Sequence, residues 1–122
     1  MTRMSAFFAL LAVTALPAAA VANRPATEAE AQAIEATLTA RGLTCASRYP
    51  PGTCREAIVV STAKRHWAVA RIRPDVNGEN TVEPEDISLR LRAGAWNIHQ
   101  IGNGGGCDVP RKARRDLHLL CL

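Results

Sequence analysis

Beyond its first 22 residues the sequence has no long apolar run, and nowhere does it contain Cys-x-x-Cys, Gly-x-Ser-x-Gly or Gly-Lys-Ser/Thr. The first absence leaves nothing to cross a bilayer as a helix, which takes about 20 consecutive apolar residues. The second removes the usual zinc and dithiol-redox spacings. The third removes the strained turn that presents a hydrolase serine, and Ser47, Ser61 and Ser88 sit in ordinary contexts. The fourth excludes a P-loop, and the dinucleotide fingerprint is missing as well. Lysine is scarce too. Arg outnumbers Lys 13 to 2, a ratio that follows from GC-rich coding rather than from a binding surface.

What the chain does have begins with a leader. Arg3 precedes the apolar run Phe7 to Val13, Pro17 breaks it, and Ala20-Val21-Ala22 has the small-x-small form of a signal-peptidase site. Cleavage after Ala22 gives a secreted or periplasmic product, one domain over residues 23–122, too short for two domains. Removing Arg3 with the leader lowers the formal charge from +4 to +3, mildly basic and suited to an acidic partner. Cys45, Cys54, Cys107 and Cys121 all lie in the exported part. An even count in a small exported domain reads as two disulfides. Of three possible pairings the local one is favoured, Cys45–Cys54 with Cys107–Cys121, because Ala46 to Thr53 consists of turn residues. Chain-entropy arguments assign about 2.7 and about 3 kcal/mol to the two bridges. Oxidised cysteines also exclude a thiolate nucleophile.

Thr27-Glu28-Ala29-Glu30 is a capping box. Ala31, Ile34, Leu38 and Arg41 follow at helical spacing and Gly42 fits a helix stop, predicting a helix over 28–41. Ala57 to Ser61 reads as a buried strand, and His66 to Arg73 as another joined to it by a turn at 62–65. Ile87-Ser88-Leu89-Arg90-Leu91-Arg92 alternates strictly, and Ala93-Gly94 turns it into a strand over 95–101. A short helix from Pro110 to Leu117 ends the chain. The predicted fold is α+β: one helix packed on a four-stranded antiparallel meander, plus a short C-terminal helix. Trp67 and Trp96 are expected in the core, both facing the helix.

This order of elements resembles the cystatin-like class of α+β folds. In addition, Trp67-Ala68-Val69, Gly94-Ala95-Trp96, Gly102, Cys107-Asp108-Val109-Pro110, Arg115-Asp116-Leu117 and Cys121 resemble small exported bacterial proteins of uncharacterised function. That resemblance covers roughly residues 57–122. It implies export and a Cys107–Cys121 bridge, and it supplies no catalytic residue.

Three constellations bear on chemistry. Asp75, Asn77, Glu79 and Asp86 fall at the first, third, fifth and twelfth positions of a calcium-loop template. Asn80 in place of glycine, Pro84 and the strand-like flanks all speak for a plain polar loop instead, so no metal is expected. The glycines of 102–106, including Gly104 and Gly105, lead into Arg111, Lys112, Arg114 and Arg115. Together they form a candidate anion site, weighed against a flexible connection into a helix with a solvated charged side. No aromatic residue interleaves with these cations, which argues against stacking on nucleic-acid bases. Finally, His66 and His99 would share a polar sheet face if their strands were neighbours, with Arg71 or Arg90 to hold phosphate. His118 is the remaining histidine.

The sequence therefore points to a small exported, disulfide-stabilised, non-catalytic binding module. Its partner would be a protein, a glycan or an acidic envelope component, and it needs no cofactor. A lysozyme inhibitor is a natural subtype, but a +3 domain is steered away from basic lysozymes. The alternative is a small secreted phosphodiester hydrolase, RNase-like, using His66 and His99.

Overall fold

The computed structural model describes residues 22–75, 83–102, 104 and 106–122. Of the expected leader, residues 1–22, all but Ala22 lies outside them. The elements in chain order are β1 (Asn23–Pro25), α1 (Glu28–Ala40), α2 (Cys45–Arg48), β2 (Cys54–Ser61), β3 (Trp67–Pro74), β4 (Glu85–Arg92), β5 (Ala95–Ile101) and α3 (Arg111–Asp116), with a 3-10 turn at Gly106–Asp108. The strands form one antiparallel sheet in the order β1-β2-β3-β4-β5.

The fold class is α+β as expected, but the sheet has five strands, not four. The additional strand pairs Asn23, Arg24 and Pro25 with Ser61, Val60 and Val59. Its three residues carry no apolar alternation, and its proline is tolerated because an edge strand need not donate on both sides. β2 also begins at Cys54, three residues before its β-branched run, and β3 begins at Trp67, so His66 stays in the turn.

The capping box forms as written: Glu30 N–H donates to Thr27 Oγ1 at 3.2 Å and Thr27 N–H to Glu30 Oε1 at 2.9 Å. The helix it starts buries Ile34 and Leu38. These pack with Val60, Ala68, Ala70, Ile72, Ile87, Leu89 and Trp96 into the larger core. Burying each large aliphatic side chain contributes about 1.5–3 kcal/mol. The helix comes closest to β5, where Thr37 Oγ1 donates to the Trp96 carbonyl at 3.1 Å.

The opposite face of the sheet is covered as well. Trp67 and Val69 of β3 pack against Val109, Ala113 and Leu117 from the α3 region. The two tryptophans thus occupy opposite faces, correcting the expectation that both face α1. The register explains it: Leu91 pairs with Trp96 and Arg90 with Trp67, so adjacent positions of β4 separate the two rings by face.

Both local disulfides form. Cys45–Cys54 spans 5.5 Å between Cα atoms and ties α2 to the start of β2, and Cys107–Cys121 spans 4.6 Å and closes the C-terminal segment. Two disulfides fit an extracellular protein. Among the described residues no helix is long and apolar enough to cross a membrane.

Candidate functional site

The α3 segment sorts its side chains by helical spacing. Ala113, Asp116 and Leu117 turn inward, at i, i+3 and i+4, and are buried. Arg111, Arg114, Arg115 and His118 follow one another at i, i+3, i+4 and i+7 on the outer side. With Leu119 and Leu120 they line an open recess of about 530 Å³.

The inward face is held by polar contacts that the apolar count alone misses. Asp116, 7% exposed, accepts from the Ser61 hydroxyl at 2.8 Å and from Ala22 N–H at 3.2 Å. Arg71, on β3, donates through its guanidinium to the Leu117 carbonyl at the end of α3. Burial pulls the Arg71 pKa down, with the nearby Asp86 carboxylate opposing the shift and Arg73 adding to it.

The consequence is electrostatic. Residues 106–122 contain two acids, and Asp116 is buried in hydrogen bonds to β2 and the N-terminal segment. Asp108 is exposed. The ion pairs among the described residues join Arg24 to Glu30, Arg48 to Glu85, and Arg71 and Arg73 to Asp86. Arg111, Lys112, Arg114 and Arg115 take part in none of them. The candidate anion site therefore places four cations around one short helix, with Asp108 the sole exposed acidic side chain of the segment. The Gly104 carbonyl accepts from Leu122 N–H at 3.2 Å. A Cβ there would stand 2.8 Å from Leu122 Cδ1, so glycine lets the C-terminal segment lie across it. Gly105 lies outside the described residues.

The histidines are placed apart. β4 lies between the strand that His66 precedes and the strand that carries His99. Alternation from Trp96 and Ile98 puts His99 on the Trp67 face, where its ring meets the indole edge-on at 4.9 Å. The two arginines considered for phosphate are also engaged: Arg71 on Leu117, and Arg90 stacked 5.4 Å over Trp67. Neither His66 nor His99 lines the α3 recess.

Of the calcium-loop set, Asn77 and Glu79 lie outside the described residues. Asp86 Oδ1 sits 3.0 Å from Arg73 Nη2 and 3.9 Å from Arg71 Nε, and Asp75 N–H donates to the Thr53 carbonyl. Among the described residues no group of three His, Cys, Asp or Glu side chains is disposed to hold a metal ion.

A further pair escapes sequence reasoning. Glu35 of α1 meets Glu56 of β2, whose Oε1 accepts from Cys45 N–H at 3.1 Å. A hydrogen bond between the two carboxyls, with burial and like-charge repulsion, raises the Glu35 pKa to about 7. By contrast, the guanidinium of Arg24 bonded to Glu30 holds that carboxyl down at about 2. A second open recess, about 320 Å³, lies at the first disulfide between Cys45, Tyr49, Pro50, Pro51 and Cys54, and its walls carry no charge.

Comparison with family models, with curated proteins and with solved structures returns no match to this chain. The functional reading accordingly rests on the geometry above.

Proposed function

We propose that this chain is an exported, non-catalytic binding module that takes an acidic envelope component on the outer face of α3. One observation carries the reading: Arg111, Arg114, Arg115 and His118 line a single recess while Asp116, the acid within their helix, is turned into the protein. Uncompensated charge of one sign around a concave surface raises the local concentration of oppositely charged ligands. The two disulfides and the leader-like start of the sequence support export, as does the resemblance to small exported proteins.

The test is titration of the oxidised, leaderless protein with soluble polyphosphate at low and at moderate salt. Wild type binds, and binding weakens with salt because exposed charges are screened within about 10 Å at 0.1 M. Replacing Arg111, Lys112, Arg114 and Arg115 together by serine lowers affinity at least tenfold and flattens the salt dependence. Unchanged binding in that variant sinks the proposal. RNA cleavage by wild type above the level of a His66→Ala, His99→Ala double variant would instead establish the hydrolase.

A further inference from the structure

The α3 recess is not purely polar. Its walls include Leu119 and Leu120 beside the three arginines, and Leu120 is 59% exposed with Leu122 at 89%. Only one other large apolar side chain is exposed among the described residues, Ile101 at 41%. It belongs to the opposite side of the sheet, since it pairs with Ile87 of the α1 core. Two of the three exposed large apolar side chains thus belong to the stretch that follows the basic helix, and one of them, Leu120, lines its recess.

This juxtaposition is built into the local chain path. Gly106 N–H donates to the Leu120 carbonyl and Leu122 N–H to the Gly104 carbonyl, and Cys107–Cys121 fastens the same two stretches. Leu119 turns inward onto the Trp67 core. Leu120 and Leu122 are consequently held outward on backbone that is hydrogen-bonded and cross-linked. Leu120 borders the basic recess, and Leu122 extends from the same fixed stretch two residues on.

A soluble polyanion satisfies the arginines and leaves both leucines in water. An anionic phospholipid surface satisfies both, with phosphates at the guanidinium groups and the leucine side chains in the headgroup–acyl boundary. Peripheral membrane elements combine these same two contributions. We infer that the acidic partner of the α3 face is the surface of an anionic phospholipid bilayer, on which the domain docks without spanning it. The inference rests on the anion-binding reading above and names its ligand.

Co-sedimentation of the oxidised, leaderless protein with vesicles tests it. Phosphatidylglycerol-rich vesicles are compared with pure phosphatidylcholine vesicles, and soluble polyphosphate titration provides the parallel arm. Wild type sediments with the anionic vesicles and not with the neutral ones. Arg111→Ser with Arg115→Ser lowers vesicle partition by about tenfold or more, since each basic residue near such a surface contributes about fivefold. Leu120→Ser with Leu122→Ser lowers vesicle partition by about tenfold and leaves polyphosphate affinity unchanged. These leucines are exposed, and an unaltered tryptophan emission spectrum confirms that the variants are folded. Polyphosphate binding without vesicle binding, or vesicle binding indifferent to the leucines, overturns the lipid inference and leaves the anion site standing. Loss of both arms in wild type overturns both.

Discussion

Raising the pH from about 5 to about 8 should weaken this fold through one carboxyl pair. Glu35 on α1 shares a hydrogen bond with Glu56 on β2, and its pKa rises from 4.5 to about 7. In the unfolded chain the two groups separate and Glu35 ionises near its ordinary value. Below that value both states hold the proton and the pair costs nothing. Between 4.5 and about 7 the unfolded chain has released a proton that the folded chain retains, so stability falls as pH rises. Above about 7 the folded pair carries two charges and the loss is complete.

A gap from 4.5 to about 7 corresponds, at about 1.4 kcal/mol per pH unit, to roughly 3 kcal/mol if nothing relaxes. Glu35 and Glu56 are only half-buried, and solvent screening reduces the figure to about 1–2 kcal/mol. For a domain of this size that corresponds to roughly 5–12 °C in Tm. The assay is urea unfolding of the oxidised protein at a series of pH values, followed by the fluorescence of buried Trp67 and Trp96. Glu35→Gln keeps the shape and can still donate to Glu56. It should match wild type near pH 5 and exceed it by about 1–2 kcal/mol near pH 8. Equal pH dependence in the two proteins would refute the argument, because histidines and other common groups cancel in the difference.

Three further outcomes follow from the structure. Glu30→Gln removes the negative charge opposite Arg24 while its amide oxygen can still accept from Thr27 N–H, at a small cost in Tm near pH 6. That cost should shrink on acidification from about pH 4.5 toward pH 2, as wild-type Glu30 itself takes up a proton; thermal melts over this range check it. Replacing Cys107 and Cys121 by serine opens a 14-residue separation and should cost about 3 kcal/mol, read from the urea midpoint. Asp116→Ala leaves the fully buried Ser61 hydroxyl without its carboxylate partner. It should cost about 1.5–3 kcal/mol in urea unfolding, whereas Asp108→Ala at an exposed site should stay within about 0.5.

Whatever depends on neighbours a few residues apart was legible along the chain. Thr27 and Glu30 are three positions apart and form their capping box unaided by the rest of the fold. Ile87, Leu89 and Leu91 declare a strand through their period, and Ala93-Gly94 closes the hairpin with both residues at positive φ, 49° and 78°. The two disulfides follow the same logic, because each joins cysteines separated by a short stretch. What crosses between elements emerged only when the elements packed. β1 is too short for any period to show, and its existence depends on the free edge of β2. Six residues of α3 are equally few, so only its packing on Trp67 shows which side is buried and which side keeps Arg111, Arg114 and Arg115 in solvent. Register placed the two tryptophans on opposite faces and put β4 between His66 and His99. The Glu35–Glu56 pair arises where α1 crosses β2, and hydrophobic spacing carries no information about where two polar side chains from separate elements will meet.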